Sequence, residues 1–205
     1  MTSRHMSSDP GWLCAITAAA ATAALAPAAE AVNLPKSRYT AITLAACVEQ
    51  SASLDGRAWR CEGLPRQPVY IAERDGRYYL SIGAEPDKRR AAAQTLGAVN
   101  TIFAGASNRM TIEWRIRRIE TRDEPYATIV RYFTREASGK PAPRRGEVLI
   151  VTKVGAVDSC QIARIDALAN PEAISLARSA ADELAASFDC RAEPRIVGAT
   201  GKSPM

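Results

Sequence analysis

Residues 160–190 read CQIARIDALANPEAISLARSAADELAASFDC and specify a strand followed by a helix. Residues 160–166 have the composition of a strand, and Asn170-Pro171-Glu172 has the order of a helix start: a capping side chain, a proline and an acid. The helix should carry Arg178 and Asp182 on its solvent side, four residues apart. Apolar residues at spacings of three and four predict the buried stripe: Ile174, Ala177, Ala181, Leu184 and Phe188.

The lengths of this strand and helix favour one disulfide pairing. The strand spans about 20 Å and the helix over 171–188 about 27 Å, so a helix that folds back over the strand returns the chain to its start. Cys190 then lies beside Cys160, and Cys47 is left with Cys61. Four cysteines allow three pairings, and the sequence alone does not choose among them.

Upstream of this segment the chain is rich in predicted strands. Asp75-Gly76 between two β-rich segments predicts a tight hairpin. The strand over 110–118 alternates apolar and polar residues and is predicted to be half-buried. Residues 86–96 suit a short helix, whereas residues 40–47 suit a helix or a strand equally well. The predicted strands before residue 160 are 58–61, 68–72, 77–82, 110–118, 126–135 and 146–154.

Together these elements predict an α+β fold. Connections too short for crossover helices favour an antiparallel β-sheet of about six or seven strands, with the C-terminal helix packed on it and two disulfides. We expect a single α+β domain over residues 32–197, followed by a flexible tail over 198–205.

The N-terminal segment has the features of an export signal. Arg4 precedes an uncharged, alanine-rich run over 11–29, and Ala29-Glu30-Ala31 has the small-residue spacing of a cleavage site, so residues 1–31 are predicted to be a signal peptide. A retained membrane anchor is the alternative, because the run reaches the lower end of spanning length. Alanine favours the bilayer less than leucine does, and Pro27 interrupts the run, so we expect cleavage, no retained span and a periplasmic location. Lipidation is not expected, because Leu13 precedes Cys14.

Cleavage would change what the histidine and cysteine counts mean. The chain of 205 residues has one histidine, His5, and five cysteines. Removal of residues 1–31 takes away His5 and Cys14, and leaves four cysteines for two disulfides in an oxidising compartment. Without imidazole, Ser-His and Cys-His catalysis and zinc sites with a histidine ligand are excluded. We therefore expect no metal and no cofactor.

Neither the glycine-rich tail nor the carboxylates form a recognisable catalytic motif. The tail segment VGATGKS resembles a phosphate-binding loop, but Ile196 stands where that loop requires its first glycine. Carboxylates remain for catalysis, without diagnostic spacing: Glu113, Asp123, Glu124, Asp158 and Asp166. A hydrolase would need two of them about 5 to 10 Å apart in a cleft.

The basic residues suggest a binding surface. The chain carries 27 basic and 22 acidic residues, a formal net charge of +5. Arg115 and Arg117 on one strand face, joined by Lys153, would form a patch for phosphate, lipid headgroups or acidic glycans; the alternative is a solvated face. Nucleic acid is not expected as a partner, because the basic clusters lack interleaved aromatic residues. The clusters are 88–90, 115–122 and 144–145.

Four residues are candidate binding residues: Trp114, Arg115, Arg131 and Asp166. Arg131 shares a strand face with apolar residues. Either this face is only partly buried, or Arg131 is buried and paired with an acid such as Glu113 or Asp166. A buried Arg131 beside Trp114 would mark a pocket for a small anionic ligand. Asp166 is expected to accept hydrogen bonds from the loop backbone that follows it.

Several segments in this order resemble a family of exported alphaproteobacterial proteins of unknown function. The resemblance covers residues 39–193 and implies export, a periplasmic setting and cysteines in these places. It implies no activity and no catalytic residue. The segments are AWRCEG (58–63), QPVYIAERDGRYYLSIG (67–83), TLGAVN (95–100), IEWRI (112–116), PYATIVRYF (125–133), VLIVTKVG (148–155) and the segment over 160–190.

These observations favour a periplasmic protein with a non-enzymatic binding or envelope-associated role, whose partner is an anionic ligand or an envelope component. One alternative is a carboxylate-based hydrolase acting on an envelope polymer. Another is a basic protein that binds anionic lipid or glycan.

Overall fold

The computed structural model describes residues 1–2, 34–53, 56–83, 94, 96–105, 108–137, 142–155 and 158–205. The chain divides into two units at Val32, and every element described below belongs to the second unit, Asn33–Met205. The predicted signal peptide, apart from its first two residues, and most of the predicted helix over 86–96 lie outside the described residues. In the described part of the chain, no helix is both long and apolar enough to cross a membrane.

Eleven strands and one α-helix are present within the described residues. A short 3₁₀ turn, Leu44–Ala46, joins the first two strands. The strands are β1 (Lys36–Thr43), β2 (Val48–Ser53), β3 (Gly56–Leu64), β4 (Gln67–Arg74), β5 (Arg77–Ile82), β6 (Val99–Thr101), β7 (Arg109–Ile119), β8 (Arg122–Arg135), β9 (Arg145–Val154), β10 (Ser159–Asp166) and β11 (Arg195–Ile196), and the helix is α1 (Ala173–Leu184).

The elements form three layers. A seven-stranded sheet runs in the order β1-β7-β8-β9-β10-β11, with β6 paired to β8. Strands β2 to β5 form a second sheet of four strands, and a shared apolar core lies between the two sheets. Helix α1 packs through a second core on the other face of the large sheet. The α+β class is therefore as predicted.

The single antiparallel sheet is a prediction that the structure corrects. The strands divide into two sheets, and β10 pairs with β11 in parallel. The parallel pair arises because α1 separates β10 from β11 and provides a connection long enough for a crossover. The sequence predicted strands over 58–61, 68–72 and 77–82, but did not indicate which strands would share a sheet.

The hairpin between β4 and β5 confirms its sequence signal. Asp75 and Gly76 have φ values of 52° and 68°, which is the pair of left-handed residues in a type I′ turn. The turn places Glu73 opposite Tyr78, with register maintained along both strands.

Helix α1 is shorter than predicted, and its buried stripe is shifted. It begins at Ala173 after Glu172, because Asn170 Oδ1, the atom that would accept a capping hydrogen bond, accepts instead from the amide of Ala199 at 2.9 Å. Ala177 and Ala181 are buried as predicted, but Ile174 is 37% exposed. Four alanines bring the helix close to the sheet: Ala173, Ala177, Ala180 and Ala181.

The two disulfides join the cysteines that chain geometry favoured. Cys47 is bonded to Cys61 with their Cα atoms 4.4 Å apart, and Cys160 to Cys190 with theirs 5.7 Å apart. The second bond closes the end of the segment in which the chain leaves β10, forms α1 and returns.

Candidate functional site

Two residues on the polar face of β7, Glu113 and Arg115, are buried beneath α1. Arg115 donates from Nε and Nη2 to the carboxylate of Asp182 at 2.9 and 2.6 Å. Its Nη1 donates to Ser37 Oγ at 2.7 Å, and Tyr126 Oη donates to Asp182. Asp182 is exposed, as predicted for the solvent side of the helix, but its carboxylate contacts Arg115 of the sheet, which the sequence did not predict.

A second pair lies next to the first. Arg178 donates from Nε to Glu113 at 2.7 Å and from Nη2 to Tyr39 Oη at 3.0 Å. Arg178 and Asp182 are four residues apart on the helix, a rise of about 6 Å. Glu113 and Arg115 are two residues apart on the strand, a rise of about 6.6 Å, so the two spacings match. We call these four residues the ionic ladder.

Burial and contact with Asp182 shift the pKa values of Arg115 and Tyr126. Burial alone would lower the pKa of Arg115, but the hydrogen bonds and charge of Asp182 outweigh it and raise that pKa. Burial raises the pKa of Tyr126 to about 12, and its hydrogen bond to Asp182 acts in the same direction. Both groups therefore remain in their protonated forms at neutral pH.

The ladder does not provide a cleft for hydrolysis. Glu113 and Asp182 both approach the guanidinium of Arg115, at 4.0 and 2.6 Å. The guanidinium lies between the two acids and Glu113 is 5% exposed, so a substrate bond has no access to the space between them. The ladder attaches the helix to the sheet.

Trp114 and Arg131 are not brought together. Trp114 is fully buried between the two sheets, where its Nε1 donates to Thr40 Oγ1 at 3.0 Å. Arg131 is exposed and forms an ion pair with Glu147. It pairs neither with Glu113 nor with Asp166, as the sequence had suggested for a buried Arg131.

Asp166 secures the C-terminal segment. It is fully buried and accepts hydrogen bonds from the amides of Leu168, Ala169, Lys202 and Ser203 and from Ser203 Oγ. Burial alone would raise the pKa of Asp166, but these bonds, foremost that of the Ser203 hydroxyl, hold it below its usual value. The local backbone bonds were predicted.

The prediction of a flexible tail over 198–205 is wrong. Ser203 is buried, and its Oγ, which donates to Asp166, also accepts a hydrogen bond from the amide of Glu147 at 2.9 Å. Asn170 binds both the amide and the carbonyl of Ala199. The segment is therefore docked on the sheet, and the resemblance to a phosphate-binding loop has no counterpart in its contacts.

The predicted basic patch is not a set of free cations. Arg115 is buried in the ladder, and Lys153 Nζ donates to the carbonyl of Phe188 at 3.0 Å. The guanidinium of Arg117 lies 5.2 Å from the ring centroid of Tyr126. The cluster over 88–90 lies outside the described residues.

Free arginines occur elsewhere, at the end of the β8–β9 hairpin. Helix α1 covers Ala127 and Ile129 of β8, but Arg135 further along the strand is exposed. Arg135 lies directly opposite Arg145 of β9. Within the described part of the chain, neither guanidinium has a hydrogen bond or an ion pair.

A cavity of about 530 Å³ lies beside this arginine pair. Phe133 and Leu168 provide apolar surface, and Glu147 lies opposite Phe133. We call this region of the sheet the open face; seven of its lining residues are Val99, Thr101, Phe133, Arg135, Arg145, Glu147 and Leu168.

A second cross-strand arginine pair shows what is distinctive here. Arg74 lies opposite Arg77 at the β4–β5 turn. Arg77 donates to the carbonyl of Gly97 at 3.2 Å, and Arg74 also has an interaction partner. Of these two arginine pairs in the described strands, only Arg135 and Arg145 on the open face both lack a hydrogen-bonding or ionic partner.

Sequence reasoning identified Arg145 within a basic cluster, but it missed Arg135. Arg135 is the last residue of β8 and Arg145 is the first residue of β9, so the two would pair if the strands were in register. A loop as long as that over 136–144 does not fix the register of its strands, however, so the pairing could not be derived.

The open face offers arginine side chains and apolar surface. Among the described residues, no cluster of His, Cys, Asp and Glu could hold a metal ion. No family model matches the chain, and the comparisons with curated proteins and with solved structures also give no match.

Proposed function

We propose that the protein is an exported periplasmic protein with a non-enzymatic binding role, and that it binds an anionic group on the open face. The observation that carries this proposal is the cross-strand pair of exposed arginines without partners, Arg135 and Arg145.

The pair has a cost that a ligand would offset. Like charges directly opposite each other on a sheet destabilise it. A guanidinium presents a planar fork of donors that fits the two oxygens of a carboxylate or phosphate. An oxyanion between Arg135 and Arg145 would neutralise both charges at once.

The shape of the open face supports a small ligand. Its cavity of about 530 Å³ is within the range of roughly 300 to 1,000 Å³ that is usual for small-molecule sites. The site is built mainly on strands β6, β8 and β9, whose backbone is held by the sheet.

Export is supported by the N-terminal sequence and by the disulfides. Residues 1–31 have the order of a signal peptide, and disulfides persist in oxidising compartments. The resemblance to exported alphaproteobacterial proteins points the same way. Fusion of residues 1–31 to a reporter enzyme that is active only after export should give activity outside the cytoplasm, and an inactive reporter would contradict this part of the proposal.

Titration of the protein with inorganic phosphate, followed by NMR, tests the site. We expect shifts of the resonances of Arg135 and Arg145, and a loss of affinity of about tenfold or more in the double variant Arg135→Gln/Arg145→Gln, because each charge-assisted hydrogen bond contributes about 1.5 to 3 kcal/mol.

A control variant separates the site from net charge. Arg60→Gln/Arg122→Gln removes the same charge from two exposed arginines outside the cavity, and Arg122 is about 40 Å along β8 from Arg135. This variant should keep the affinity. An equal loss in both double variants would assign binding to overall charge and would overturn the proposed site.

A further inference from the structure

We propose that the ligand of the open face is a soluble amphiphilic anion, with an oxyanion at one end and a short apolar body. This inference rests on the proposed function and adds the chemical class of the ligand. Arg135 and Arg145 would hold the oxyanion, while Phe133 and Leu168 would contact the apolar body.

The sheet sets the distance between the two parts of the site. Phe133 and Arg135 are two residues apart on β8, so they share a face in adjacent rows about 7 Å apart. Thr101 of β6 lies opposite Phe133, and Val99 lies opposite Arg135. Charge therefore lies in one row, and the aromatic ring lies in the next.

Leu168 adds a second apolar surface from outside the sheet. It is 44% exposed on the loop between β10 and α1. Its own amide donates to Asp166 Oδ1 at 3.1 Å, and the preceding amide of Ala167 donates to the carbonyl of Glu147 at 2.8 Å. The loop is thus already held in place, so a ligand would not have to order it on binding.

The charge of the cavity is confined to one end. Glu147, in the row of Phe133, is neutralised by its ion pair with Arg131. Arg135 and Arg145 in the next row form no ion pair among the described residues. A ligand that matches this pattern is anionic at one end and apolar at the other, unlike inorganic phosphate or a polyanion with evenly spaced charges.

The concave shape favours one dissolved molecule over a membrane surface. Phe133 is half-buried within the cavity, whereas insertion into a bilayer requires apolar side chains that project outward. The ligand we propose is therefore a soluble molecule, and binding to a membrane would contradict the proposal.

Methyl, butyl and hexyl phosphate form the series of probes. Each methylene that becomes buried should raise the affinity by up to about fourfold, so hexyl phosphate should bind the protein at least about tenfold more tightly than methyl phosphate in isothermal titration. In the variant Leu168→Asn, the ratio of the affinity for hexyl phosphate to the affinity for methyl phosphate should fall to about threefold or less. Ile174→Asn is the matched control, because Ile174 is another exposed aliphatic residue and does not line the cavity.

The outcomes separate this inference from the proposed function. Arginine-dependent binding of all three phosphates with equal affinity would overturn the amphiphilic ligand and leave the anion site intact. The same gain with chain length in the unchanged protein and in Leu168→Asn would also overturn it. Absence of binding to every phosphate would overturn both proposals.

Sedimentation with vesicles provides the last arm. Vesicles of phosphatidylglycerol and phosphatidylcholine in equal amounts should leave the protein in the supernatant at 0.15 M salt. Binding to them that depends on Arg135 and Arg145, without a gain along the alkyl phosphate series, would assign the site to a lipid surface and would overturn the soluble ligand.

Discussion

Asp166 is a buried charge that joins two distant parts of the chain. Its carboxylate receives amides from the loop that follows β10, and the amides of Lys202 and Ser203 from the C-terminal segment. A carboxylate with several backbone donors is stabilised in its ionised form, which offsets the cost of burying it. The charge of this one side chain therefore contributes to holding the tail on the sheet, together with the hydrogen bonds that the tail forms with Glu147 and Asn170.

Replacement of Asp166 by asparagine should destabilise the protein in a pH-dependent manner. At pH 7 we expect the free energy of unfolding to fall by about 2 to 3 kcal/mol, because an amide group cannot accept all of these hydrogen bonds. The folded state lowers the pKa of Asp166 from the model-peptide value of 3.8, so its contribution is fully present above that pH. Urea unfolding between pH 2.5 and 7 should show the two proteins converging as the pH falls through the lowered pKa.

Ser203→Ala is the control for this prediction. It removes one hydroxyl donor and keeps the carboxylate, so it should cost about 1 kcal/mol and retain the acid-dependent loss of stability. A difference between Asp166→Asn and the unchanged protein that is the same at pH 2.5 and at pH 7 would show that the charge is not its source.

At the scale of the elements, α1 is attached to the sheet by polar groups as well as by alanines. The ionic ladder joins α1 to β7, and Ser37 of β1 bonds to both Arg115 and Glu113. Because Glu113 and Arg115 are buried, the ladder specifies the position of the helix more strongly than a surface ion pair would. Such a ladder is possible because four residues along a helix and two residues along a strand span nearly the same distance.

Removal of one partner of the ladder should cost more than removal of both. Asp182→Ala leaves the buried guanidinium of Arg115 without its carboxylate, and should lower the free energy of unfolding by about 3 kcal/mol. The double variant Arg115→Met/Asp182→Leu should recover a large part of that loss, because apolar groups fill the space without an unpaired charge. Urea unfolding of both variants and of Arg115→Met completes the double-mutant cycle.

Arg191 provides the comparison with an exposed pair. Its ion pair with Asp189 is open to solvent, so Arg191→Ala should not change the stability measurably.

Additive effects of the substitutions at Arg115 and Asp182 in the double-mutant cycle would contradict a direct interaction between these two residues.

Elements were predictable where their signals are local. Asp75-Gly76 identified a hairpin because the turn itself requires left-handed residues, and residues 160–166 were correctly placed in a strand. The start of α1 was misplaced because Asn170 Oδ1 accepts from the amide of Ala199, 29 residues away. A capping signal can be read from adjacent residues, but competition from a distant partner cannot.

At the scale of the whole molecule, the large sheet is enclosed on both faces over most of its area. The alternation in β7 predicted one buried face, and the second was expected in solvent. The second face is also buried at Glu113 and Arg115, because α1 covers these two residues and neutralises them with its own charges. The sequence of β7 does not contain this information, since the neutralising residues belong to another element.

The same enclosure explains where binding residues should be sought. Trp114 and Arg115 were candidates because of their chemistry. Trp114 packs in the apolar core, however, and Arg115 is bonded to Asp182 in the ladder. The open face is the part of the large sheet beyond the helix, and it is there that Arg135 and Arg145 remain without partners. The candidate site thus depended on which strands extend past α1, a property of the assembled fold.

The open face should show a conflict between stability and binding, which gives the last prediction. Arg135→Glu places an acid opposite Arg145, and an opposite-charge pair should raise the free energy of unfolding by about 0.2 to 1 kcal/mol relative to the repulsive pair. The same change should weaken phosphate binding by about tenfold or more, because the guanidinium of Arg145 would then be occupied. Arg122→Glu on the same strand lies opposite Ile119, so it should bring no such gain and should leave binding unchanged. Urea unfolding and isothermal titration measure the two effects; a loss of stability in Arg135→Glu with an unchanged denaturant slope would show that the two arginines do not repel each other in the folded protein.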